Sequence, residues 1–123
     1  PGLRLEIEPS PVKVTPEQAH HLALVLGELV MNSAKYGRGH GGLYLRLHAR
    51  LDDGLVSLVY RDRGPGYPPD VLGGRGRSLG LWLVDAIVTT SLQGEWSIRN
   101  EDGAVTELCF PVRHREKGGE LDG

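Results

Sequence analysis

Residues 28–37 read Glu28-Leu29-Val30-Met31-Asn32-Ser33-Ala34-Lys35-Tyr36-Gly37. On an α-helix, at about 100° per residue, Asn32 falls roughly 40° and Lys35 roughly 20° from Glu28, so the three polar groups share one face. Leu22, Leu26, Leu29, Val30 and Ser33 lie opposite, a wide apolar and small-residue stripe suited to pressing on a sheet. Leu24, Val25 and Met31 border the polar line, which makes it a polar seam in an apolar wall, as a lined pocket requires. A carboxylate, an amide oxygen and an ammonium in one line can position water, ligate a hard cation and meet a phosphate. The same three residue types also occur on ordinary solvated helix faces, so the seam needs its context.

Upstream, Thr15-Pro16-Glu17-Gln18 offers a capping hydroxyl, a proline at the first helical position and a glutamine three residues past the cap. The helix is expected to run from there to about Tyr36, where Gly37, Gly39, Gly41 and Gly42 end it. Before it, Leu3, Leu5 and Ile7 alternate with Arg4, Glu6 and Glu8 as in a half-buried strand. After it, Leu43, Leu45, Leu47, Ala49 and Leu51 alternate with polar residues, and Asp52-Asp53-Gly54 turns the chain into a third, antiparallel strand over 55–60. A second helix is expected from Leu79 to about Leu92, on the stripe Leu79, Leu83, Ala86 and Ile87, with Leu81, Val84 and Val88 widening it. Trp96 and Ile98 then open a last hairpin, which turns at Glu101-Asp102-Gly103 and returns over 105–112. This order implies an α+β fold, with a mostly antiparallel sheet covered by helices on one face.

Two glycine-rich segments lie between the third strand and the second helix. Asp62-Arg63-Gly64-Pro65-Gly66 sets a carboxylate at a strand end before glycines that let another molecule approach the backbone, although the pattern also serves as a plain turn. The second, Gly73 to Gly80, is not a dinucleotide fingerprint, because that motif directly follows a strand and here the strand ended about a dozen residues earlier. Nor is it a P-loop, since no Gly-Lys-Ser/Thr follows. What it offers is Ser78-Leu79-Gly80-Leu81 at a helix start, where free amides and the helix dipole can hold an anion, with Arg75 and Arg77 nearby. A flexible loop that ends in such a helix resembles a lid.

In this order the segments resemble the ATPase domain shared by histidine kinases, DNA gyrase, heat-shock chaperones and mismatch-repair proteins, the Bergerat fold, over nearly the whole chain. Glu28–Gly37 resembles its N box, Asp62–Gly66 its adenine loop, Ser78–Val84 the glycine box at the lid end, and Gly103-Ala104-Val105-Thr106 the last box. The wording of the boxes, with only about eleven residues between the two glycine loops, is most similar to bacterial sensor kinases with short lids. The resemblance implies a two-layer α/β sandwich with a mixed sheet. It implies ATP and Mg as cofactors, with Asn32 on the metal, Lys35 on phosphate, Asp62 on the adenine amino group, and Gly64 and Gly66 shaping that pocket. Thr106 would back the adenine, and Tyr36, Arg77, Ser78, Leu79, Gly80 and Leu81 would complete the nucleotide contacts. Glu28 would be the catalytic residue, orienting water or helping to deprotonate an acceptor histidine. The implied partners are a histidine-bearing dimerisation segment of a parent chain and, indirectly, a response regulator.

Composition limits the alternatives. The 123 residues suffice for one domain, expected over 1–113 with a disordered tail over 114–123, and the missing Met and polar end read as a piece cut from a larger parent. A net charge of −2 gives no field to hold nucleic acid or an anionic membrane, and no apolar run approaches the ~20 residues of a membrane span. A cytoplasmic location is expected. The one cysteine, Cys109, sits between Leu108 and Phe110 as a small buried hydrophobe. The five histidines read as ordinary partly exposed side chains rather than phosphoacceptors. The rival readings are a serine kinase of the anti-sigma-factor type on the same ATP domain, and a nucleotide-binding adaptor without catalysis.

Overall fold

The structure, a computed structural model, describes residues 2–8, 10–37, 39 and 42–112; the expected tail lies outside them. Among the described residues, five strands and three α-helices follow in the order β1 (Gly2–Ile7), α1 (Pro16–Tyr36), β2 (Gly42–Asp52), β3 (Leu55–Asp62), α2 (Pro69–Leu72), α3 (Leu79–Ala86), β4 (Glu95–Asn100) and β5 (Ala104–Pro111). The sheet order is β1-β2-β3-β5-β4. β1 runs parallel to β2 and every other pairing is antiparallel, so the sheet is mixed and mostly antiparallel. α1 and α3 pack against each other on one side of it; Leu81 and Val84 are the buried residues of α3, whereas Leu79, Leu83 and Ala86 of the expected stripe are exposed.

Local chemistry sets the element ends. Thr15 accepts from the Gln18 amide while the Gln18 side chain accepts from the Thr15 amide, a closed capping box. At the β2–β3 turn Asp53 and Gly54 both have positive φ, which the Asp-Gly pair tolerates and the right-handed twist of a hairpin favours. Past α3 the β-branched run Ile87-Val88-Thr89-Thr90 widens into a π-helical turn, Ile87–Ser91, closed by the Leu92 amide on the Ile87 carbonyl.

The core forms where two sheet rows meet the helices. Leu58 pairs with Leu108 and Val56 with Phe110, and Val25, Leu29, Val84, Val88 and Leu92 close over them, all nearly inaccessible. The buried stripe of α1 is therefore Gln18, Val25, Leu29 and Ser33; Val25 belongs to it, not to the rim of the polar seam, and Val30 is exposed instead. On β1 the alternation is right but its apolar side is open, with Leu3, Leu5 and Ile7 all exposed on an edge strand. The opposite sheet face is polar and carries cross-strand ion pairs such as Arg46–Glu8 and Arg99–Glu107. Leu29→Ala is expected to cost ~2–5 kcal/mol in urea denaturation, and Thr15→Ala only ~1 kcal/mol, because the first opens a cavity and the second removes a cap.

Candidate nucleotide site

Asp62 ends β3 on the helix-facing side of the sheet, beside Leu45, and is only 6% exposed. A carboxylate so deep needs partners, and three surround it. Oδ1 accepts from the Gly64 amide at 3.0 Å and the Ala104 amide at 3.1 Å; Oδ2 accepts from the Ser33 hydroxyl at 3.0 Å. Ser33 in turn accepts from the Tyr60 hydroxyl, which also reaches the Leu29 carbonyl. The end of α1, the end of β3 and the start of β5 thus converge on one carboxyl group. The convergence requires glycine: a Cβ on Gly37 would overlap Asp62 Oδ2, and one on Gly64 would overlap the Gly37 backbone.

Above Asp62 opens a cavity of about 740 Å³, walled by Pro65, Tyr67, Pro68, Val71 and Leu81. Asn32 and Lys35 line it and also line a second cavity of about 220 Å³, which Glu28 and the α3 start, Ser78 to Leu81, close from the other side. The two spaces share Asn32, Lys35, Tyr36, Ser78 and Leu81, so they are one cleft with two ends. One end is apolar with a single buried carboxylate, as a flat heterocycle with an amino edge would need. The other holds an ammonium, an amide oxygen and a helix start whose amides can meet an anion. Ser78 accepts from the Leu81 amide there, and the Glu28 carboxylate lies against Gly80. Glu28 and Asn32 are half-buried, while Lys35 and Tyr36 are exposed.

The remaining expected residues stand behind these. Gly66 lines the large cavity; Gly64 is represented by its amide on Asp62. Thr106 is 1% exposed and bonds the Tyr67 hydroxyl at 2.6 Å, so Tyr67 lies between it and the cavity. Arg77 lies outside both linings, its guanidinium 5.0 Å from the centre of the Trp96 ring. Sequence reasoning missed Tyr67 and its clamp, Asn100, whose side chain bonds both the Tyr67 amide and the Tyr67 carbonyl. An aromatic next to the second glycine of Asp-x-Gly-x-Gly was the available signal for Tyr67; Asn100, 33 residues away, offered none.

Burial pushes the Tyr60 hydroxyl up to about 12 and the Tyr67 hydroxyl up in the same direction, the Thr106 bond opposing the second. Among the described residues there is no group of three or more His, Cys, Asp or Glu that could hold a metal, and no helix long and apolar enough to cross a membrane.

Known proteins share the family and the fold. Residues 17–114 match the family described as histidine kinase-, DNA gyrase B- and HSP90-like ATPase. The chain belongs to that family. Two curated relatives from Mycobacterium tuberculosis strains, "Sensor histidine kinase component HK1" and "Probable sensor histidine kinase HK", are each 34% identical over 57% of the chain. The matches cover 48% of the first relative and 21% of the second, so the chain corresponds to only part of either. Among solved structures, the ATP binding domain of PrrB from Mycobacterium tuberculosis superposes with a TM-score of 0.69 at 28% identity, covering 93% of this chain and 83% of that one. The histidine kinase domain of a blue-light activated kinase from Erythrobacter litoralis superposes at 0.75 and 19% identity, covering 89% of this chain and 52% of that one. The resemblance to the ATP-binding catalytic domain of sensor histidine kinases is borne out, as is the mixed sheet with helices on one side.

The raised tyrosines predict an alkaline limit. Folding favours the neutral form of Tyr60, so its contribution is whole below about pH 10 and is lost as pH rises through about 12. Tyr60→Phe should lose less stability than the parent across that interval in urea titrations; identical losses would show that the buried hydroxyl does not set the limit.

Proposed function

We propose that this domain binds Mg-ATP along the two-ended cleft and donates the γ-phosphate to a histidine on a separate dimerisation segment of a longer chain, in two-component signal transduction. The observation that carries this reading is the placement of a thrice-bonded, buried carboxylate at the apolar end of a cleft whose other end is a helix start. Of the about four acceptor sites of a carboxylate, three are used within the protein and one is left for an adenine amino group. Gly66 lets the ring lie against the loop, and Thr106 supports the pocket through Tyr67. Lys35 and the α3 start around Ser78, Leu79, Gly80 and Leu81 receive the phosphates, with Tyr36 at the mouth and Arg77 on the lid side.

Asn32 lies where the two cavities join, and its amide oxygen suits a hard cation whose other ligands come from phosphate and water. Bound there, Mg would neutralise phosphate charge. Glu28, across from Gly80, takes the imidazole N–H proton as the imidazole nitrogen bonds the γ-phosphorus and the bond to the ADP oxygen breaks.

Leu79, Trp82 and Leu83 present one exposed apolar face of α3 beside the phosphate end, 85%, 58% and 43% accessible. An exposed apolar patch next to the transferring group fits a protein partner such as the histidine-bearing segment. A response regulator would then receive the phosphate from that segment.

Incubated alone with Mg and γ-labelled ATP, the domain should remain unlabelled, and addition of the parent's histidine-bearing segment should yield acid-labile phosphate on that segment. Acid-stable label on serine of a protein substrate would instead establish the anti-sigma-factor type of kinase. Asn32→Ala should abolish the tightening of nucleotide binding by Mg in paired calorimetric titrations; an unchanged Mg effect would make Asn32 a plain helix-face residue.

A further inference from the structure

Asn100 ends β4 at the same end of the sheet as Asp62, paired with Ala104, whose amide bonds the Asp62 carboxylate. Its side-chain oxygen accepts from the Tyr67 amide at 2.8 Å and its side-chain nitrogen donates to the Tyr67 carbonyl at 3.0 Å. One side chain thereby satisfies both backbone groups of a loop residue, as a neighbouring strand would. Gly66, just before it, has φ +90°, and a Cβ there would stand 2.7–2.9 Å from the Asn100 amide atoms. The loop approaches Asn100 as closely as it does only because residue 66 lacks a side chain. At its other end Tyr67 is anchored through its ring, 7% exposed, with its hydroxyl on Thr106. Nothing else among the hydrogen bonds of the described residues ties the backbone between Pro65 and Pro68 to the sheet.

We propose that Asn100 is a positioning residue for the nucleotide site: it clamps the Tyr67 backbone, and through it holds the wall formed by Pro65, Gly66 and Tyr67 at the distance from Asp62 that a purine ring needs. This rests on the nucleotide reading of the cleft. Without the clamp, the two Tyr67 backbone groups turn to water and the loop samples open arrangements. A ligand that binds only the closed arrangement loses apparent affinity in proportion to its population.

The test is Asn100→Ala, measured in two ways. Hydrogen exchange at the Tyr67 amide, without nucleotide, should speed up at least ~10-fold while core amides of β3 and β5 are unchanged, and Mg-ATP affinity should fall about tenfold. A general loss of stability would speed exchange in the core as well. Gly66→Ala, whose new methyl displaces the Asn100 amide, should reproduce both effects, and adding Asn100→Ala to it should change little further, because both remove one contact. Unchanged exchange at Tyr67 in folded Asn100→Ala overturns the clamp, as does full Mg-ATP affinity, or additive effects in the double variant. If the unsubstituted chain binds no Mg-ATP, the nucleotide reading fails on its own, and the exchange measurement still decides whether Asn100 holds the loop.

Discussion

One carboxylate organises the functional end of this domain. Asp62 accepts from α1 through Ser33, from its own loop through Gly64, and from the last hairpin through Ala104. Each bond offsets part of the desolvation of a charge that is 6% exposed, and losing any one would leave that charge less compensated. The same crowding explains why Gly37 and Gly64 are glycines. The partners that keep Asp62 buried also hold it at the wall of the cleft.

The opposite end of the cleft works differently. There the groups are half-buried or exposed, held by helix geometry and not by a closed bond network. Glu28, Asn32 and Lys35 keep their line because α1 is capped at Thr15 and packed along Val25 and Leu29. α3 brings its amides to that line by packing against α1, and Ser78 fixes its first turn. The cleft thus joins an apolar end with one buried carboxylate to a polar end whose groups stand half-open to solvent.

Much of this was legible in the sequence because it is local. The capping box, the Asp-Gly turn, the helix from Pro16 to Tyr36 and the polar line on it each follow from residues within a few positions of one another. What was not legible depends on packing direction or on distant pairs. Which side of α1 is buried was misplaced by roughly half of one residue's rotation, about 50°, so Val25 and Val30 exchanged roles. The open side of β1 follows from its place at the sheet edge, which alternation alone cannot reveal. Asn100 and Tyr67 meet only once β4 has paired with β5 and the loop has folded back over them.

The most direct measurement concerns base preference. If the free acceptor site of Asp62 receives an adenine amino hydrogen, guanine would present an oxygen to it. An unmade bond at such a site costs ~1–3 kcal/mol, so ATP should bind roughly tenfold to a hundredfold more tightly than GTP. Asp62→Asn keeps an oxygen for the Gly64 and Ala104 amides and an amide donor for Ser33, so the fold should persist while ATP affinity falls and the preference shrinks. Calorimetric titration of both proteins with both nucleotides, alongside their circular-dichroism spectra, decides it. Equal binding of ATP and GTP by the parent, or full ATP affinity in the folded variant, would contradict the assignment of this cleft to adenine.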